Sequence, residues 1–144
     1  MSDVNFSSVL DKPADDIKRP PLPPMGSYVA VVDGQAVTRK VGQNQTQAWD
    51  FNMKLLQPVQ VDGEPEAVQA ALGRNIRATF FETEDAAWRL VRFLKEHLVI
   101  PSEGKTARQM IAEAGGRQCM VTIIHRPSQD GSEMFANIDS TAAV

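Results

Sequence analysis

Hydrophobic residues recur along the chain mostly at every second position or in short β-branched runs, and both patterns predict β-strands. The run YVAVVDGQAV, beginning at Tyr28, is rich in β-branched residues. Strict alternation follows in QAWDFNMKLLQPV and again in NIRATFF. Near the C-terminus, RQCMVTIIHR and EMFANIDST flank a turn that contains Asp130-Gly131 and predict a hairpin. The pattern therefore predicts five strands.

Alternation also assigns side chains to the two faces of a strand. In NIRATFF, Ile76, Ala78 and Phe80 share one face, whereas Arg77 and Phe81 share the other. If the apolar set packs into the core, Arg77 and Phe81 face outward and are available to a ligand.

One long helix and two short ones are predicted between the strands. Ala87, Leu90, Val91, Leu94 and Leu98 recur at helical spacing, and Thr83 precedes them as a potential N-cap. A short helix is expected over residues 65–72, ended by Gly73. Another is expected from Thr106, because Thr106 and Gln109 have the spacing of a capping box.

The order of these elements indicates a fold. The clearest helix lies between the third and fourth of five predicted strands, which is the order of an OB-fold, a partly open five-stranded barrel. We therefore predict a mainly β (α+β) protein: an OB-like barrel over residues 28–144, preceded by an extended Pro-rich arm over residues 1–27. Five of the nine prolines fall in that arm. We expect the arm to be stiff, near polyproline II, and to pack along the domain. Pro20 and Pro23 also offer a Pro-x-x-Pro core to an SH3-type partner.

An OB barrel binds ligands on the face of its second and third strands and on two rim loops, here residues 38–46 and 127–133. Basic and aromatic residues occur together in these segments, as in proteins that bind single-stranded nucleic acid by phosphate contacts and base stacking. The candidate phosphate contacts are Arg39, Lys40, Lys54, Arg74, Arg77 and Arg126, and the candidate stacking residues are Trp49 and Phe81.

Several of these residues could serve the fold and not a ligand. Trp49 has the same parity as Phe51 and could pack in the core, and Phe81 could cover the end of the helix that follows it. Lys54 and Arg77 could be ordinary solvated surface. Arg39 and Lys40, in a polar segment predicted to be the tip of a long hairpin, have no evident role in folding.

Composition limits the class of protein. There are 15 Lys and Arg against 18 Asp and Glu, a net charge of −3, which at first sight argues against DNA as a partner. Residues 28–81, however, are neutral, and three of their five acids, Asp62, Glu64 and Glu66, lie together outside the predicted strands. No apolar run is long enough for a membrane span, and the first residues do not resemble a signal peptide. With a single cysteine, the sequence predicts a cytoplasmic protein.

Catalytic and metal-binding patterns are not evident. His97, His125 and Cys119 have no metal-ligand spacing, and Cys119 lies in an apolar strand as a small core residue. The fragment EGKT resembles the end of a phosphate-binding P-loop, but Val99 occupies the position of the required first glycine. We therefore expect a protein that is not an enzyme and has no cofactor.

Three segments, PLPPMGSYVAVVDG, TFFETEDAAWRLVRFL and GRQCMVTIIHRPSQDGSEMFANI, resemble small bacteriophage proteins of the single-stranded-DNA-binding class. The resemblance extends from about Pro20 to the C-terminus. It implies an OB-like fold and a role in phage DNA replication or recombination in the host cytoplasm, with replication or recombination proteins as further partners. Many such proteins end in an acidic tail, whereas this chain ends IDSTAAV.

The leading hypothesis is thus a non-enzymatic single-stranded-DNA-binding protein. The alternative is a phage structural or assembly protein that uses the barrel and the arm for protein contacts, favoured by the acidic pI and the stiff arm. A small inhibitor or adaptor of a host enzyme is a third hypothesis. The sequence leaves the oligomeric state open, a homo-oligomer included, together with any preference for DNA over RNA.

Overall fold

The computed structural model describes residues 13–14 and 21–144. Within these residues the protein is mainly β, as predicted, with six antiparallel strands and a few short helices. The strands are β1 (Gly26–Val32), β2 (Val37–Val41), β3 (Thr46–Val61), β4 (Asn75–Phe81), β5 (Gln118–Pro127) and β6 (Met134–Ala142). The helices are α1 (Pro65–Ala71), α2 (Ala87–Arg92), which continues as a π-helical turn over Phe93–His97, and α3 (Ala107–Ala112).

The 16-residue strand β3 is the centre of one open sheet. Its Asp50 pairs with β2 on one side and β4 on the other, and its Met53 pairs with β1 and β4. Strands β2 and β1 therefore follow one another along the same edge of β3, and β4 occupies the opposite edge. From β1 the sheet continues through β5 to β6. Strand β6 then runs close to β4, but no backbone ladder joins the two in the described part of the chain.

The core lies on one face of this sheet, and the alternation predicted from the sequence is confirmed. Tyr28, Phe51, Met53 and Val121 are fully buried there, and Phe51 packs edge-on against Phe93 of the π-helical turn with ring centroids 5.2 Å apart. Other buried core members are Ala30, Leu55, Ala78, Leu90, Leu94, Cys119 and Ile123. Ile76 and Phe80 pack against this core, so the opposite face of β4 is the one that carries Arg77 and Phe81.

The first predicted hairpin is wrong in one respect. The segment around Arg39 and Lys40 was expected to be a loop at the tip, but it forms β2, and only residues 42–45 turn. Backbone pairing with Thr46–Asp50 makes this strand, although its own side chains are mostly exposed and polar. The described residues therefore contain six strands in place of five.

The predicted helices are present, with two differences. Thr83 is not the N-cap of α2: Ala86 takes that position, and the hydroxyl of Thr83 accepts from the amide of Ala86 in the turn before the helix. Leu90, Leu94 and Leu98 are buried as expected, whereas Val91 is 37% exposed. The amide of Leu98 bonds to the carbonyl of Phe93, five residues earlier, and this wider turn brings Phe93 into the core. The capping box of Thr106 and Gln109 is confirmed, with both of its hydrogen bonds present.

Residues 21–25, the described end of the Pro-rich arm, contact the rest of the chain. The hydroxyl of Tyr28 donates to the carbonyl of Pro24 at 2.7 Å, and the His125 ring lies 2.7 Å from the carbonyl of Pro23. Pro23 and Pro24 are buried. Pro20, the first residue of the Pro-x-x-Pro sequence, falls outside the described residues.

Candidate functional site

The face of β2, β3 and β4 opposite the core, which we call the outer face, carries most of the polar residues of these strands. Directly paired residues of antiparallel strands share a face, so the pairing places side chains in rows across the three strands. The rows of the outer face are Arg39–Ala48–Phe81, Val37–Asp50–Thr79, Asn52–Arg77 and Lys54–Asn75. The outer face thus presents three basic residues and one aromatic ring.

Asp50 lies at the middle of the outer face and is 5% exposed. The guanidinium of Arg39 donates to one of its carboxylate oxygens at 2.5 Å, and the hydroxyl of Thr79 donates to the other at 2.6 Å. Arg77 approaches the same carboxylate at 3.7 Å. The side chains of Arg39 and Arg77 are still 41% and 59% exposed. One buried acid therefore holds two arginines side by side while leaving both accessible to solvent.

The ionised state of Asp50 follows from these contacts. Burial alone would raise the pKa of the carboxyl group. Hydrogen bonds from Arg39 and Thr79, together with the charges of Arg39 and Arg77, outweigh burial and hold the pKa below its ordinary value of 3.8. Asp50 is therefore negatively charged at neutral pH.

A cleft runs between β4 and β6 beside the outer face, and we call it the β4–β6 trough. Its larger part has a volume of about 510 Å³ and is lined on one side by Arg77 and Thr79 and on the other by Phe135 and Asn137. Arg39, Arg74, Leu22 and Pro23 also line this part. A second part of about 390 Å³ continues along the same strands to Arg126, Asp139 and Thr141.

Two further contacts shape the end of the trough next to the arm. Arg74, just before β4, donates to the carbonyl of Pro21 at 2.6 Å. Asn75, the first residue of β4, donates to the carboxylate of Asp33 at 3.2 Å. The N-terminal segment and the loop after β1 are thereby each held to the start of β4 at this end.

Residues of β5 and β6 make the opposite wall. Arg126 and Phe135 are paired across these two strands. The guanidinium of Arg126 lies 3.5 Å from the carboxylate of Asp139, and its side chain is 60% exposed. Phe135 is 38% exposed. This wall therefore offers one aromatic ring and one basic group to the cleft.

Six of the eight residues predicted from the sequence lie on this surface. Arg39, Arg74 and Arg77 line the larger part of the trough, and Arg126 lines its continuation. Lys54 and Phe81 lie in rows of the outer face, and Phe81 is 41% exposed.

The structure does not bring the other two residues there. Lys40 pairs with Gln47 and has the opposite parity to Arg39, so it lies on the other face of β2. Trp49 faces the core, is 9% exposed, and donates its indole N–H to Glu82 at 3.2 Å. Arg108 lies over the Trp49 ring, 5.6 Å from its centroid. Trp49 is thus largely buried on the core side and Lys40 lies on the other face of β2, so neither residue belongs to the outer face or to the trough.

Three residues of the site were not singled out from the sequence: Asp50, Thr79 and Phe135. Asp50 and Thr79 fall on the polar faces of their strands, but no local pattern shows that one carboxylate joins residues from β2, β3 and β4. Phe135 alternates with Met134 and Ala136, and this period of two could have placed Phe135 on the face away from the core.

In the described part of the chain, neither the cysteine thiol nor any group of possible metal ligands forms a second candidate site. Burial raises the pKa of the Cys119 thiol to about 12. Among the residues described, no group of three or more His, Cys, Asp or Glu side chains could hold a metal ion. No helix within residues 21–144 is long and apolar enough to cross a membrane.

No protein-family model matches the sequence, and a search of curated proteins gives no significant match.

Proposed function

We propose that the β4–β6 trough and the adjoining outer face bind single-stranded DNA, without catalysis, in phage DNA replication or recombination in the host cytoplasm. The observation that carries the proposal is the convergence of Arg39, Arg74 and Arg77, from three separate segments, on one open cleft. Guanidinium groups grouped in this way suit a polyanion, because each can hold a phosphate with two hydrogen bonds.

The aromatic residues favour a single strand over a duplex. Phe81 and Phe135 expose about two fifths of their surface along the same region. Unpaired bases can stack on such rings, whereas the bases of a duplex are stacked on one another. Stacking does not depend on the identity of the base, so binding is expected to tolerate many sequences.

We further propose that the sheet is an OB-like barrel left open between β4 and β6. The pairing of β1 with both β3 and β5, and of β3 with β4, supports this, as do the return of β6 beside β4 and the helix between β4 and β5. In that fold β3 and β4 take the place of the second and third barrel strands, which form the ligand-binding face.

The local charge supports binding of moderate strength. The outer face and the trough contain five basic side chains, Arg39, Lys54, Arg74, Arg77 and Arg126, and three acidic ones, Asp33, Asp50 and Asp139. The surface is thus positive within a chain whose net charge is −3. Binding should weaken strongly as salt rises, because displaced counterions contribute much of its free energy.

Fluorescence anisotropy of labelled oligo-dT tests the proposal. The wild-type protein should bind at low salt. The double variant Arg74→Gln/Arg77→Gln should bind on the order of tenfold more weakly, and the slope of log K against log salt should fall by about 0.7 for each phosphate that is no longer neutralised.

Lys40→Gln is the matched control, since it removes one positive charge from the other face of the same sheet. Wild-type affinity is expected for this variant. A wild-type protein that fails to bind oligo-dT at low salt would overturn the proposal and favour a protein-contact role.

A further inference from the structure

Trp88 exposes a large aromatic surface at the start of α2. It is 54% exposed, whereas Leu90 and Leu94 of the same helical segment are buried. Isolated exposed apolar residues are common on proteins and need no explanation. The position of Trp88 relative to the trough therefore decides whether its exposure has a function.

The trough continues to Trp88. Its second part shares Phe80, Ser140 and Thr141 with a third hollow of about 310 Å³. Trp88 and Arg89 line the far side of that hollow. Three neighbouring hollows, each sharing lining residues with the next, therefore follow β4 and β6 from Arg74, beside the N-terminal segment, to α2.

The far end has the same combination of groups as the trough itself. The guanidinium of Arg89 lies 5.4 Å from the centroid of the Trp88 ring. Arg92 lines the same hollow and lies 3.1 Å from the carboxylate of Glu96. The acid at the junction, Asp139, faces Arg126 at 3.5 Å. An exposed indole beside arginines can stack on a base while the guanidinium groups contact the flanking phosphates.

The floor of this hollow is held in place by a contact between elements. The ring of His97, at the end of the π-helical turn, lies 2.6 Å from the hydroxyl of Thr141 on β6. Burial and the nearby charge of Arg92 lower the pKa of His97, with Glu96 acting in the opposite direction. The contact joins the π-helical turn to β6 at the hollow that Trp88 also lines.

We propose that Trp88 is a base-stacking platform that extends the binding site for single-stranded DNA beyond the trough and onto α2, beside Arg89. This inference rests on the proposed function. A strand long enough to reach α2 gains one stacking contact, and a strand that fills only the trough does not. The gain in affinity from the shorter to the longer oligonucleotide should therefore depend on Trp88.

The test compares oligo-dT of about 6 and about 16 nucleotides, which fall within the range of sites bound by one OB fold. Trp88→Ala should weaken binding of the longer strand by roughly 5- to 150-fold, as expected for loss of one stacked base. Binding of the shorter strand should stay unchanged. Val91→Ala is the control, since Val91 is exposed on the same helix but lines a different hollow.

Tryptophan fluorescence supplies a second readout that does not depend on a truncated side chain. The longer strand should quench the wild-type emission, and Trp88→Phe should abolish most of that quenching, because the remaining Trp49 is buried. Equal affinity of Trp88→Ala and wild type for both lengths, with quenching unchanged in Trp88→Phe, would overturn the role of Trp88 and leave the trough proposal intact. If the wild-type protein binds neither oligonucleotide, the role of Trp88 and DNA binding by the trough are both overturned.

Discussion

At the scale of single residues, Asp50 explains why two arginines can remain close together on an open surface. Like charges on neighbouring strands repel one another, and the carboxylate between Arg39 and Arg77 offsets that repulsion. The same carboxylate reduces the net positive charge available to a ligand. Asp50 therefore holds the two arginines in place but weakens the electrostatic attraction between this surface and an anionic ligand.

Asp50→Asn should lower the free energy of unfolding at pH 7 by about 1–3 kcal/mol, since hydrogen bonds to a charged group are lost and two arginines are left without their acid. The folded-state pKa of Asp50 lies below 3.8, so its contribution is complete above pH 3.8 and is lost as the pH falls through the folded-state value. Urea unfolding of both proteins at several pH values measures this effect. The difference in the free energy of unfolding between the two proteins should become smaller in acid. A difference that does not change with pH would contradict an ionised Asp50 in the folded protein.

For the strands, the face on which each side chain lies was predictable from the sequence. Alternation correctly separated Phe51 from Asp50 and Ala78 from Arg77, because a half-buried strand imposes a period of two. It could not show which outward residues meet, since the approach of Arg39 to Asp50 depends on pairing between strands. The same alternation indicated a core position for Trp49. The prediction that Trp49 stacks on a base therefore went against the pattern, and the structure places the indole on the core side.

At the scale of elements, the start of β1 depends on a glycine. Gly26 has a φ of +144°, and a Cβ at this position would overlap the carbonyl oxygen of Gln60 and lie 2.6 Å from the Cα of Val61. Both atoms belong to the backbone of β3, so the clash cannot be relieved by rotating a side chain. Close approach of β1 to the end of β3 therefore requires glycine here.

Gly26→Ala should lower the free energy of unfolding by about 2–4 kcal/mol through combined backbone strain and steric overlap. Gly34→Ala is the control, because Gly34 also has a positive φ, +79°, but an added Cβ would have no atom within 4 Å. Its cost should be limited to about 1–2 kcal/mol of backbone strain. Equal losses in the two variants, measured by urea unfolding, would show that the close approach to β3 is unimportant.

The elements themselves were predictable where a local signal exists. The capping box at Thr106 and the turn at Asp130-Gly131 both depend on residues near one another in sequence, and both predictions were correct. Strand β2 was missed because Thr38, Arg39 and Lys40 lack an apolar alternation. The π-helical turn was missed because the apolar spacing predicts a regular helix, in which Phe93 falls outside the buried stripe.

At the scale of the whole molecule, the net charge of −3 is compatible with the proposed DNA-binding surface because the charges are unevenly distributed. Asp62, Glu64 and Glu66 lie between the end of β3 and the first turn of α1, and none of the three lines the trough. The basic residues reach the trough from β2, from the residue before β4, from β4 and from β5. The clustering of the three acids outside the strands is visible in the sequence, whereas the meeting of the basic residues at the trough depends on the fold.

The most direct test of the trough as a DNA-binding surface is a titration of the ¹⁵N-labelled protein with unlabelled oligo-dT at low salt, followed by backbone amide chemical shifts. We predict that the largest shifts occur in β2, β4 and β6, with Arg77 and Asn137 among them, and that α1 stays unchanged. Shifts centred on α1 and the neighbouring end of β3, or no shifts at all, would contradict a DNA-binding role for the trough.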